Sequence, residues 1–196
     1  MTYRQKVLKA VYPFFMWITK ITGTNSKKIE NSAAHTAILP FYDLSATQND
    51  GTKISLSEFS GKKVMVVNTA SACGYTNQYS ELQHLYEKYQ NKMVILAFPS
   101  NDFKEQEKGT DVEIAEFCKL NFGITFPLMK KSVVVKSAEQ NPVFQWLSDS
   151  SKNGWCNHEP SWNFSKYLIN EKGMLTNYFD PSVSPLSKSV IDAVSK

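Results

Sequence analysis

Several residue types are scarce in this 196-residue chain, and each scarcity closes a class of function. Arg4 is the one arginine, so the bidentate guanidinium fork that usually clamps carboxylates is missing from the rest of the sequence. The three histidines, His35, His84 and His158, are too dispersed for metal-ligand spacing, and no metal or other cofactor is expected. Three cysteines make an odd count, which argues against a structural disulfide framework and fits a reducing compartment such as the cytoplasm. The eight glycines form no phosphate-cradling motif, and no stripe of basic and aromatic residues points to nucleic acid. No internal repeat or low-complexity tract is present.

What the chain does have is Cys73, in the run Asn68-Thr69-Ala70-Ser71-Ala72-Cys73-Gly74-Tyr75-Thr76. Before it, residues 62 to 69 read as a strand whose Val64-Met65-Val66-Val67 core suits a central parallel position. After it, Gln78 to Tyr89 read as a helix with Leu82, Leu85 and Tyr89 on one stripe. A thiol just before a helix N-terminus meets partial positive charge and unpaired N–H groups, so its pKa is expected below the free value of about 8.5. That is where a thioredoxin-like fold carries its reactive sulfur. A Cys-x-x-Cys pair is excluded because Thr76 stands three residues on. A peroxiredoxin pattern, with threonine three and proline seven residues before the sulfur, is excluded by Ala70 and Val66.

Two further segments carry polar side chains, FPSNDFKEQEKG at 98 to 109 and SWNFSKYL at 161 to 168. Together with NTASACGYT, and in this order, they resemble the glutathione peroxidase family, whose signatures read roughly N-x-A-S-x-C-G-x-T, F-P-x-N-Q-F-x-x-Q-E and W-N-F-x-K-(F/Y)-L. The likeness spans residues 38 to 194. It implies a peroxidase with Cys73 as the peroxidatic residue and Gln106, Trp162 and Asn163 as its polar companions. Neutral N–H donors suit that chemistry. They stabilise charge on the thiolate and on the departing peroxide oxygen without adding a competing base.

The product on Cys73 would be a sulfenic acid, which a thiol must capture before irreversible oxidation. The segment EFCKLNFGITFPLMKK, 116 to 131, resembles the part of the non-selenium, thioredoxin-dependent members that holds the resolving cysteine, here Cys118. The implied cycle is sulfenate on Cys73, a Cys73–Cys118 disulfide, then reduction by thioredoxin or glutathione; the arginine count favours thioredoxin. Cys118 falls on the apolar stripe of its helix, while a disulfide needs Cα atoms within about 7 Å, so the helix is expected to unwind locally after oxidation. Substrates would be hydrogen peroxide and organic or lipid hydroperoxides. The sequence departs from the family pattern at Ser100 and Asp102, where Cys and Gln are common, and at Lys104 and Lys108, where Gly and Pro often stand.

The fold expected is α/β and thioredoxin-like: a mixed central sheet flanked by helices, with an N-terminal hairpin. The hairpin covers Phe41 to Ile54 and turns at Asn49-Asp50-Gly51. Strands are expected at 62–69, 92–98 and 130–135, and helices at 78–90, 111–122 (opened by the Thr110-x-x-Glu113 capping box), from Asn141 to Ser150, and from Pro185 onward. A second hairpin pairs 166–170 with 174–179 around Glu171-Lys172-Gly173. The hydrophobic content of 42% suffices for one core. The short connection between Val135 and Phe144 lacks the insertion of tetrameric family members, so a monomer is expected.

The net charge of +4 is concentrated at one end. Residues 1 to 30 hold six Lys or Arg and one Glu, leaving 16 basic and 17 acidic residues elsewhere. Within that segment Val7, Leu8, Val11, Phe14, Phe15, Ile18 and Ile21 follow helical spacing, interrupted by Pro13 and flanked by Arg4, Lys6, Lys9 and Lys20. Residues 1–34 are therefore set apart as a basic amphipathic segment and 35–196 as the peroxidase domain. An interfacial or domain-packed helix, simple packing or disorder, and a cleaved targeting segment are the competing readings. An interfacial helix would give the protein a peripheral membrane contact.

Each singled-out residue has a plainer reading. Cys73 or Cys118 alone would be a buried structural cysteine, Trp162 a core aromatic and Asn163 a turn residue. Cys156, within the polar stretch 153 to 158, reads as an exposed or loop thiol with no assigned role, and His84 as a surface helix position. Competing functions are a peroxide sensor or redox relay that passes oxidation to a client protein, and a membrane-associated scaffold without catalysis.

Overall fold

A computed structural model describes residues 2, 3, 5–7, 10–12, 14 and 27–196. Its centre is a five-stranded sheet built from β1 (Lys28–Glu30), β4 (Lys63–Thr69), β5 (Met93–Pro99), β6 (Lys166–Ile169) and β7 (Leu175–Phe179), in the order β1-β7-β6-β4-β5. β4 and β5 run parallel, and the other neighbours are antiparallel. The sheet is thus mixed, as expected, but β1 was not foreseen. A separate two-stranded hairpin joins β2 (Ser45–Thr47) to β3 (Lys53–Ser55), with Asp50 accepting from the Thr52 N–H at 2.8 Å and Gly51 at φ 91°. Phe41–Asp43 forms a 3-10 turn and not the start of a strand.

Every residue of β4 and β5 is buried, and alternation divides their side chains between two cores. Val64, Val66, Val94, Leu96 and Phe98 face Phe41, Leu56 and the short helix α3 (Pro142–Leu147). Met65, Val67, Met93, Ile95 and Ala97 face α1 (Gln78–Tyr89), α2 (Asp111–Phe122) and α5 (Lys188–Ser195). Cys73 and Cys118 belong to this second core, and Cys156 to the first.

The capping box at Thr110 and Glu113 starts α2 as the sequence predicts, and Gly123 ends it in the left-handed region at φ 62°. Three expectations need correction. Residues 130–135 form no strand, because their N–H groups are shared among different partners. Lys130 donates to Thr47 O, Lys131 to the Asp111 carboxylate, Ser132 to Pro99 O, and Val134 and Val135 to the Asp102 carboxylate.

The helix expected from 141 to 150 is two helices, α3 and α4 (Ser150–Asn153), because Asp149 adopts an extended conformation and caps the second. α4 ends at Gly154, φ 96°, where a Cβ would lie 2.2 Å from the Thr36 carbonyl oxygen, so only glycine fits. The final helix begins at Lys188, three residues after Pro185, with Ser187 as its cap.

Residues 3, 5–7, 10–12 and 14 are helical. Gln5 donates to the Ser71 carbonyl at 3.1 Å, and the Tyr12 hydroxyl donates to Glu81 at 2.9 Å. The described part of the apolar stripe faces outward: Val7, Val11 and Phe14 are 42, 47 and 63% exposed. Leu8, Phe15, Ile18 and Ile21 of that stripe lie outside the described residues. Among the described residues no helix is long and apolar enough to cross a membrane.

Candidate active site

Cys73 lies in a run of turns between β4 and α1 and is 1% exposed. Thr76 clamps this loop: its hydroxyl accepts from the Cys73 N–H at 3.0 Å and sits 2.9 Å from the Ala70 carbonyl, to which it donates. The residue that excludes a Cys-x-x-Cys pair is therefore what fixes the backbone around the sulfur. The Cys73 sulfur accepts from the Tyr75 N–H at 3.4 Å. The side chains of Trp162 and Asn163 stand near enough to it to favour the thiolate.

The expected depression of the Cys73 pKa is not found. Burial pushes the thiol up, and hydrogen bonds from Tyr75, Trp162, Asn163 and Gly74 pull it partly back. Burial is the larger cause, and the helix offers little against it, since α1 begins at Gln78, five residues on, and a helix-end charge fades within a turn.

Gln106, Trp162 and Asn163 converge on this loop. The Asn163 amide donates to Gln106 Oε1 at 3.0 Å, so Gln106 reaches the sulfur through Asn163. Gln106 also accepts the Ala72 N–H on its carbonyl at 3.0 Å. Trp162 packs against Phe103 at 5.4 Å between ring centroids, with Lys104 Nζ 5.7 Å from its ring centroid. Asn163 is fully buried and its Oδ1 has no hydrogen-bond partner. A groove of about 460 Å³ is lined by Tyr75 and Trp162 from this site together with Ser161, Asp180, Pro181 and Ser182.

Asn68, the first residue of the Cys73 motif, holds the third motif in place. It donates to Trp162 O at 3.1 Å and accepts from Ser165 N on its side chain and from Phe164 N on its carbonyl. These bonds fix a turn in which Phe164 adopts the left-handed conformation at φ 70°, a strained geometry for a bulky residue. The departures from the family pattern are accommodated. Asp102 ties its loop to Val134 and Val135, at 2.6 and 3.2 Å. Lys104 adopts φ 51°, where glycine would be relaxed.

Cys118 lies on α2 with no exposed surface, as its place on the apolar stripe foretells. Burial raises its thiol to about 12; the Tyr79 hydroxyl beside it lowers it, and the Glu107 charge adds to the rise. Both sulfurs are reduced. Glu107 is 1% exposed, accepts from the Ser71 hydroxyl at 3.0 Å, and has its carboxyl raised by burial to about 7. Sequence reasoning gave no role to Glu107, Thr76 or Asn68, although all three stand inside the quoted motifs. Cys156 does lie in a loop, but it is 1% exposed and not at the surface, because Asn153 turns the chain inward by accepting its N–H at 2.7 Å. His84 is exposed, as read.

The architecture is that of a thioredoxin-like protein with one sulfur in a donor-lined pocket. A DsbF homologue from Corynebacterium diphtheriae shares this fold at a TM-score of 0.59 and 14% identity, over 87% of this chain and 94% of that one. The glutathione peroxidase family model matches residues 41–148, which include Cys73, Gln106 and Cys118 but not Trp162 or Asn163. A glutathione peroxidase of Lactococcus lactis is 42% identical over 146 residues, 74% of this chain and 92% of its own length. The glutathione peroxidase-like peroxiredoxin 2 of Saccharomyces cerevisiae is 43% identical over 149 residues, 75% of this chain and 91% of its own. The crystal structure of Trgpx in apo form superposes at a TM-score of 0.61 with 30% identity, covering 82% and 98% of the two chains. The chain belongs to the glutathione peroxidase family and is a peroxidase.

Proposed function

We propose that the protein reduces hydrogen peroxide and organic or lipid hydroperoxides at Cys73 and is regenerated through Cys118. The observation that carries this is the gathering of neutral N–H groups at one sulfur: Tyr75 N–H bonded to it, the Trp162 indole and the Asn163 amide near it, and Gln106 bracing Asn163. The Cys73 thiolate attacks the O–O bond, sulfur takes one oxygen as a sulfenic acid, and the other oxygen leaves as water or an alcohol after gaining a proton. The Cys118 thiol then displaces water from the sulfenic acid to form the disulfide, and a dithiol returns both sulfurs to the reduced state.

Local opening of α2 is part of this reading, because Cys118 is buried and ionises with difficulty in place. The helix is anchored by three buried side chains, Ile114, Cys118 and Phe122, and leaves Val112 and Leu120 67 and 81% exposed. For the reductant, a thioredoxin is favoured over glutathione. The groove lined by Tyr75 and Trp162 carries the Asp180 carboxylate and no arginine, which disfavours a tripeptide bearing two carboxylates, although Lys104 lies over the Trp162 ring.

Residues 35–196 constitute the catalytic domain, working as a monomer in the cytoplasm. Residues 1–34 are an appendage tied to it through Gln5, Tyr12 and β1. The outward stripe of Val7, Val11 and Phe14 beside basic residues suits a peripheral contact with anionic lipid. Flotation with anionic liposomes would separate the full chain from one starting near Ala33; equal behaviour of the two removes the membrane contact.

NADPH-coupled peroxide turnover tests the catalytic reading, with thioredoxin and its reductase set against glutathione and its reductase. Turnover with thioredoxin is expected, and it is expected to vanish in both Cys73→Ser and Cys118→Ser. Activity that survives without Cys118 would mean direct reduction of Cys73. An inactive wild type whose Cys73 oxidises and then forms a mixed disulfide with another protein would move the assignment to a redox relay.

A further inference from the structure

Lys166 is a fully buried lysine at the start of β6, with no exposed surface. Among the described residues it makes no ion pair. Its Nζ donates to three neutral oxygens: Gln78 Oε1 at 2.7 Å, the Phe164 carbonyl at 2.7 Å and the Pro181 carbonyl at 3.4 Å. The other buried lysine on the sheet, Lys63, is paired conventionally with Glu171 at 2.5 Å. An ammonium sunk among neutral acceptors is costly, and the acceptors here are not scattered. Gln78 opens α1 after the Cys73 loop, Phe164 belongs to the turn that presents Trp162 and Asn163, and Pro181 lines the groove that Tyr75 and Trp162 border. Gln78 closes the ring by donating to the same Pro181 carbonyl at 2.6 Å.

We propose that Lys166 is a positioning residue for peroxide reduction, its ammonium locking three walls of the Cys73 site together and holding Trp162 and Asn163 in donor geometry. An ammonium has three N–H donors for the three oxygens, whereas a neutral amine has two. Loss of the proton therefore leaves two N–H donors for three oxygens and loosens the lock, and the longest bond, to Pro181, is the first to go. The left-handed Phe164 is the point most sensitive to this release, because its strained backbone persists only while its surroundings enforce it.

The charged groups facing Lys166 are Glu81 from α1 and Asp180 from the end of β7. Glu81 is held by Tyr12 and Ser184, and Asp180 by Ser161, Tyr178 and the Lys27 N–H. Burial lowers Lys166 to about 7 against the pull of these two acids, so the lock titrates in the neutral range.

The proposal rests on Cys73 as the reacting sulfur, and its test reads that step directly: the rate at which hydrogen peroxide consumes the Cys73 thiol, by quench with an alkylating agent and intact mass, from pH 5.5 to 9. The wild-type profile is expected to show an inflection near pH 7 beyond the ionisation of Cys73. Lys166→Met should oxidise roughly tenfold to a hundredfold more slowly, as expected for displaced donors, and should lack that inflection. Gln78→Glu places a carboxylate beside the ammonium and should move the inflection upward, which keeps the test available if Lys166→Met does not fold. An inflection unchanged in either variant overturns the proposal. Failure of wild-type Cys73 to react at all would instead overturn the peroxidase assignment.

Discussion

The two sulfurs proposed to react share one core but are held in opposite ways. The Cys73 loop is fixed by polar ties from every side: Thr76 within the loop, Gln106 O to Ala72, the Ser71 hydroxyl to Glu107, and Asn68 to the Trp162–Ser165 turn. Cys118 sits on a helix held to the core mostly by apolar packing, through Ile114, Phe117, Phe122 and Cys118 itself, with one polar tie from Asp111 to the Lys131 N–H. The contrast suits the two tasks. A nucleophile needs donors fixed before the reaction, while a resolving thiol has to leave its place to reach its partner.

The largest expected effect comes from breaking the fixed side. Asn163→Ala removes the amide near the sulfur and the partner of Gln106, and should slow Cys73 oxidation by about 10²-fold while leaving α2 unaffected, measured by rapid quench under limiting peroxide. Next, Thr76→Val leaves the buried Cys73 N–H without an acceptor and should cost about 1–3 kcal/mol in urea unfolding. A change under half of the lower figure would show that the clamp is dispensable.

The other side of the contrast is sharpened by loosening α2. Ile114→Val should destabilise the helix by about 0.5–1.5 kcal/mol, and disulfide appearance after oxidation should accelerate by roughly two- to twelvefold. Cys73 oxidation itself should not change. Slower disulfide formation would mean that Cys118 reacts from the folded helix. The smallest effect is expected at Lys104→Gly, which relieves a left-handed backbone and should stabilise the fold by at most about 1 kcal/mol. A loss larger than that would show that the Lys104 contact with Trp162 outweighs the strain.

Much of this arrangement could be read from the chain, for reasons visible in particular residues. α2 was legible because Thr110 and Glu113 mark its start within four residues of sequence. β4 and β5 were legible as unbroken apolar runs. The fault at 130–135 came from Val133-Val134-Val135, which read as a strand although Val134 and Val135 both give their N–H groups to the Asp102 carboxylate, brought there by the fold. The same limit hid the site's bracing. The bond from Asn163 to Gln106 spans 57 positions, and nothing local to Lys166 announces that a lysine opening a strand is entombed. Cys156 misled because its neighbours are polar, yet their polarity is spent inward, with Asn153 satisfying both Trp146 and Cys156. The pKa of Cys73 was misjudged from its distance to a helix along the chain, where burial decides.

The central claim is that a rigid Cys73 is oxidised first and then resolved by a mobile Cys118. The most direct test treats the reduced protein with one equivalent of hydrogen peroxide and maps its peptides without reduction. The account predicts one dominant intramolecular link between the peptides carrying Cys73 and Cys118, absent when either is serine. A link involving Cys156, or a Cys73 that proceeds to sulfinic acid with Cys118 still free, would contradict it.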